Sequence, residues 1–152
     1  MVREVLVLAC SLVVLGQLLA AQDTKAAVVQ VIQQAESAGR IETSLAALFD
    51  KPSPDIRQIS SQIESVHKSV AAIKASLDQL DARYDTLTEE QRDAVREAWT
   101  LAELLGAYVE NQVDALPDLS VTDRRQEAKT NAQCAIRRAA MLVESLRQLA
   151  KA

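Results

Sequence analysis

His67 is the single histidine of the 152-residue chain, and it follows Glu64 at the Glu-x-x-His spacing used by carboxylate-bridged di-iron bundles. Such a centre needs two copies of that motif plus further inward carboxylates, and there is no second histidine to complete it. A zinc site clusters Cys and His ligands, whereas His67 and Cys134 fall on different segments. The Cys-x-x-Cys-His signature of a covalently held haem does not occur. A Cys134–His67 nucleophile pair needs both groups to converge, and the helical register sends Cys134 to an outward position. Met141, the candidate axial ligand for a haem, also falls outward. These residues predict no catalytic group, no cofactor and no metal ligand, hence a protein that is not an enzyme.

Charge offers more. Glu90, Asp93 and Glu97 form one helical stripe with Arg92 and Arg96 nearby, the pattern of a solvated face. Arg124, Arg125, Lys129, Arg137 and Arg138 form a basic stretch that either neutralises an acidic neighbour or binds an anionic partner or headgroup surface. A net charge of −4 disfavours general nucleic-acid binding, because phosphate contacts need a basic surface. Gly39 and Gly106 are isolated within helical patterns, so no glycine-rich phosphate loop exists.

The elements that position these groups follow from composition and periodicity. The chain is 49% hydrophobic and 25% charged, with 3% aromatic residues, three Gly and three Pro. That composition excludes collagen-like and disulfide-stapled classes and disfavours sandwiches and barrels. Residues 1–22 carry Arg3, then an apolar run from Val5 to Ala21, the layout of a secretory signal peptide. The large residues Leu18 and Leu19 before Ala20-Ala21 leave an uncleaved membrane anchor over residues 5–21 as the alternative. Cleavage removes Cys10 and leaves Cys134 either free or in an intermolecular disulfide. Arg3 and Glu4 cancel, so the remainder keeps the charge of −4.

Residues 23–152 form the second domain, read as helices over about 25–49, 55–86, 88–116 and 122–151. In the first, Val28, Ile32, Ala35, Ala38, Ile41, Leu45 and Leu48 recur at helical spacing after a Thr24 cap, and Gly39 is a point where the helix could bend. Pro52 and Pro54 end it. Ile56, Ile59, Ile63, Val66, Val70, Ile73, Leu77, Leu80, Tyr84 and Leu87 then alternate steps of three and four, a heptad seam. That register puts Glu64 and His67 beside the seam rather than in it. Thr88 and Gln91 make a capping box for the third helix, whose apolar face is Val95, Ala98, Ala102, Leu105, Val109, Val113 and Leu116. The fourth helix shows Ala128, Ala132, Ala135 and Ala139, then Leu142, Leu146 and Leu149, so a neighbour can approach its first half closely. Residues 88–116 carry a net −5 and residues 122–152 a net +4, which predicts that these two helices face each other. The expected fold is all-α, an antiparallel four-helix bundle of helical hairpins with coiled-coil-like seams behind an N-terminal leader helix.

Leu87-Thr88-Glu89-Glu90-Gln91 resembles the L-T-x-x-Q motif of the Spy/CpxP-type family of periplasmic helical proteins. The resemblance covers five to ten residues. It implies a periplasmic, cradle-shaped, often dimeric protein that binds unfolded chains without ATP. Bundle, leader and the lack of catalytic groups together predict an exported protein of the periplasm or extracellular space that acts by protein binding or scaffolding. Its partner would be another protein or a second copy of the chain. It would bind no nucleic acid and would touch a membrane only through an uncleaved leader. An ATP-independent chaperone and a cofactor- or metal-binding bundle are the alternatives.

Overall fold

A computed structural model describes the backbone of residues 2–151 and the side chains of 22–147 and 149. The expected leader over residues 1–22, with Cys10, lies outside the described side chains except for Gln22. Four helices pack against one another: α1 (Val2–Phe49), α2 (Ile56–Asp81), α3 (Glu89–Ala115) and α4 (Thr122–Lys151). No strand occurs among the described residues, and none of their helices is long and apolar enough to cross a membrane.

Helix α1 packs on α2 and α4, and α3 packs on the same two, which closes a ring of four. Polar contacts reveal the directions. Gln62 near the start of α2 reaches Ser44 late in α1, whereas Arg83 just beyond α2 reaches Asp23. The same crossing joins α3 to α4 through Asn111–Asn131 and Glu97–Ser145, and α4 to α1 through Lys129–Asp50 and Arg147–Glu36. Neighbouring helices therefore run in opposite directions.

Each connection has a local cause. Pro52 and Pro54 keep residues 50–55 out of helix, and the Asp55 carboxylate then accepts the Arg57 and Gln58 amides at 3.0 and 3.1 Å to start α2. The α2 seam ends earlier than its heptads suggest. Helix α2 stops at Asp81, Tyr84–Thr86 form a short 3-10 turn, and Leu87 is extended but buried. The reversal is held by Arg92, whose Nε donates to the Tyr84 carbonyl at 2.9 Å while its guanidinium lies over the Tyr84 ring. At the other end, Ile56 is exposed, because it sits in the first turn of α2 beyond the reach of its neighbours. The capping box forms: the Gln91 amide donates to Thr88 Oγ1 at 3.2 Å, and the Thr88 amide donates to Gln91 Oε1 at 2.9 Å. Thr24 lies within α1 rather than at its start, and α1 also continues through Gly39.

The core is aliphatic, with Leu45, Ile59, Ile73, Leu77, Leu105, Leu142 and Leu146 fully buried. Each such side chain contributes about 1.5–3 kcal/mol. The alanine face of α4 is buried throughout, and an added Cβ at Gly39 would lie 3.5 Å from the Ala139 Cβ. Small residues thus let α1 and α4 approach closely. On α2, buried Ser69 and Ser76 share the stripe of Gln62, the residue that reaches α1, and their small size serves the same end.

Two seams follow the expected apolar faces at most positions, Leu48 included, but depart from them at a few places. On α1 the buried series is Val28, Val31, Ala35, Ala38, Glu42, Leu45 and Phe49, and Ile32 and Ile41 are only half-buried. On α3 it is Val95, Ala98, Ala102, Leu105, Val109 and Gln112, with Val113 half-buried. Both series keep unbroken steps of three and four, the repeat of a coiled-coil-like seam, at the expense of placing a polar residue inside.

The acidic third helix and the basic fourth pack together as expected, and Asp114 of α3 helps stabilise the charge on Arg124 of α4, but close ion pairs are not what joins them. Asn111–Asn131 and Ser145–Glu97 are the polar links between them, and no ion pair joins them among the described residues. Exposed pairs contribute only about 0.2–1 kcal/mol, too little to choose partners against apolar burial.

Candidate functional site

Two places in the fold bring polar groups together. The first is a furrow on the flank between α2 and α3. Its floor is Val70, Ala71, Gly106 and Ala107, and it encloses about 380 Å³. Ala71, Gly106 and Ala107 are too small to fill the space between two helices that their larger seam neighbours hold apart. Across the furrow, Lys74 Nζ meets Glu103 Oε1 at 2.8 Å, and His67 Nε2 lies 3.6 Å from Glu110 Oε1. Both carboxylates are mostly exposed, so these are surface pairs bridging an open groove.

His67 is thereby turned towards α3, away from its sequence neighbour Glu64, which bonds Lys68 at 2.8 Å. The Lys68 ammonium holds the Glu64 carboxyl below its ordinary range. The Glu-x-x-His spacing therefore brings no two ligands together. Among the described residues no group of three His, Cys, Asp or Glu side chains could hold a metal ion.

The second place lies in the core. Glu42 on α1 and Gln112 on α3 are both 0% exposed, and they meet across the diagonal of the ring. Gln112 Nε2 donates to Glu42 Oε1 at 3.1 Å and to Oε2 at 2.9 Å. Gln112 Oε1 is buried without a hydrogen-bond partner. Burial pushes the Glu42 carboxyl up to about 7, and the Gln112 hydrogen bond pulls partly against that rise. Neither residue stands out as an apolar-periodic position, and they lie 70 residues apart, so apolar periodicity marks neither of them. The signal that marks them is the strict heptad phase, which has no gap once Glu42 and Gln112 are counted as members.

The other singled-out residues are dispersed. Arg124 pairs with Glu127 one turn on at 2.7 Å. Arg125 donates to the Leu119 and Ser120 carbonyls at 3.0 and 2.9 Å, tying down the turn before α4. Lys129 bonds Asp50 on α1 at 2.6 Å, Arg137 is exposed, and Arg138 Nη1 lies 3.3 Å from Met141 Sδ. The basic stretch is thus not one continuous cationic face. Cys134 is a free thiol and half-buried, not fully exposed as its register suggests, while Met141 does point outward. Asp93 pairs with Arg96, and Glu97 accepts from Ser145 Oγ at 3.0 Å. Thr88 and Gln91 of the L-T-x-x-Q segment bond to each other, and Leu87 is buried.

Compared with known protein families, curated proteins and solved structures, the chain matches none.

Proposed function

We propose that this chain is an exported, non-catalytic antiparallel four-helix bundle with coiled-coil-like seams, and that it acts by binding a segment of a protein partner along the α2–α3 furrow. The observation that carries this reading is the furrow itself. Small side chains floor it, and cation-bearing α2 and carboxylate-bearing α3 rim it with both signs of charge. An incoming segment needs only to part Lys74–Glu103 and His67–Glu110. Exposed pairs of this kind contribute about 0.2–1 kcal/mol each, which a few buried apolar side chains readily offset. A partner with alternating small apolar and charged residues suits both floor and rims.

The test uses a photoreactive amino acid placed at Ala107 in the furrow or at the exposed Gln133 on α4, in bacterial cells that express the full chain, whose fractions are then separated. Binding in the furrow gives a protein adduct of one defined mass from Ala107 and none from Gln133. It also predicts that the Gly106→Leu substitution, which fills the floor, removes that adduct. Equal adducts from both positions, or none from Ala107, overturn the reading. Retention of the whole chain in the cytosol overturns its export.

A further inference from the structure

Glu42 is a carboxyl with no cation to meet. Its one hydrogen-bond partner is the neutral amide of Gln112. The charged groups of every surrounding helix are engaged elsewhere or turned outward. On α1, Arg40 is exposed and Asp50 bonds Lys129 of α4. On α2, Glu64 bonds Lys68, and His67 faces Glu110 of α3. Asp114 on α3 is exposed; Arg138 on α4 sets Nη1 against Met141, and though its Nε is buried without a partner, no charge on it acts on Glu42. An ionised carboxylate removed from water without a countercharge is among the costliest things a core can hold, and such a group neutralises instead.

Gln112 shows where the neutral form would bond. As an ionised group, Glu42 only accepts hydrogen bonds, so it can engage Nε2 and leaves Oε1 stranded in the core. As a carboxylic acid it gains one O–H donor. A tilt of the amide then sets Nε2–H against one carboxyl oxygen while the other oxygen's O–H donates to Oε1. That cyclic pair satisfies the orphaned acceptor and leaves no buried charge.

We propose that Glu42 and Gln112 form a proton-binding site at the centre of the bundle, in which the packed fold holds one proton on the Glu42 carboxyl, shared with Gln112 Oε1, and release of that proton to solvent loosens the α1–α3 diagonal. Release leaves a carboxylate that must be hydrated, and water can reach it only if the seam opens. The site works independently of what occupies the α2–α3 furrow.

Burial supports the same assignment, since it raises the carboxyl from 4.5 to about 7. The sign follows directly. Between those values the folded chain keeps a proton that the unfolded chain has released, so folding takes up about one proton and stability falls as pH rises. The contribution is intact below about 4.5 and is lost as pH climbs through about 7. From pH 5 to pH 8 the folding constant drops on the order of a hundredfold through this group alone.

The experiment measures urea unfolding of the full chain at pH 5 and pH 8, in a His67→Gln background so that the imidazole cannot contribute. The expected result is a midpoint that falls between the two pH values, whereas Glu42→Gln, which mimics the protonated acid, shows the smaller fall of an ordinary exposed surface. A second measurement needs no Glu42 variant: carbon-13 NMR of labelled glutamate carboxyls in the wild-type chain, followed from pH 3 to pH 9. One carboxyl titrating near neutrality, together with faster hydrogen exchange around residues 42 and 112 above that point, supports the site. All glutamates titrating in the ordinary range, or an undiminished pH response in Glu42→Gln, overturns it.

Discussion

Gly39→Ala should stabilise this fold, and the size of the gain follows from where the glycine sits. Gly39 lies in the interior of α1, where glycine costs about 0.8–1.0 kcal/mol relative to alanine through backbone entropy. The added Cβ would lie 3.5 Å from the Ala139 Cβ, an ordinary van der Waals separation, so neither helix has to move. Gly39 is half-buried, and the new methyl therefore recovers only part of the ~0.8 kcal/mol of a fully buried carbon. The sum is about 1–1.5 kcal/mol, which corresponds to a rise in Tm of about 3–5 °C for a chain of this size. Urea titration followed by far-UV circular dichroism should show a higher midpoint at unchanged slope, with a matching shift in the thermal scan. Gly39→Leu supplies the contrast: its outer carbons run into the Ala139 side of α4, and overpacking of this sort costs about 1–3 kcal/mol. A lower midpoint for Gly39→Ala would refute the reasoning, because it would mean that α1 bends at this residue or that α4 lies closer than the Ala139 contact allows.

Thr88→Ala removes one half of the capping box and should lower stability by about 1 kcal/mol in the same urea assay, without changing helix content. At pH 8, Glu42→Leu and Gln112→Leu change stability in ways that do not add. Gln112→Leu should destabilise by about 1–3 kcal/mol because it leaves Glu42 buried without its only partner. The double substitution should be neutral or stabilising, since a well-packed apolar pair replaces a buried polar one. A double-mutant cycle measures the coupling, and simple additivity would show that the two side chains do not interact. Lys129→Ala should change stability by less than about 1 kcal/mol, because its partner Asp50 is mostly exposed, and thermal unfolding is enough to check it.

The residues explain how much of this was readable. Along α2, Ile59, Ile63, Val66, Val70, Ile73, Leu77 and Leu80 are all buried, because an apolar heptad seam has only one way to hide itself. The heptad spacing runs on to Tyr84 although the helix does not, since periodicity cannot register that the chain turns back at Asp81 and that Arg92 secures the turn. Along α1 and α3, choosing the nearest apolar residue put Ile41 and Val113 where Glu42 and Gln112 belong. The places of Glu42 and Gln112 are present in the spacing but masked by polarity. The furrow was not legible, because it arises from the relation of Ala71 to Gly106 and Ala107 on another helix.

What the sequence alone determined is the all-helical character, the four-helix pattern and the Thr88–Gln91 cap, all of which rest on interactions within a few residues of the chain. Only the tertiary structure decided which helices share charges, sending Lys129 and Arg147 to α1 instead of α3. It alone brought Glu42 to Gln112 across the core, with an acceptor left over for a proton. The physical reason is the same in both cases. Local spacing sets the face a helix must bury, but the cost of a buried polar group depends on what the other helices place against it, and that exists only once they have packed.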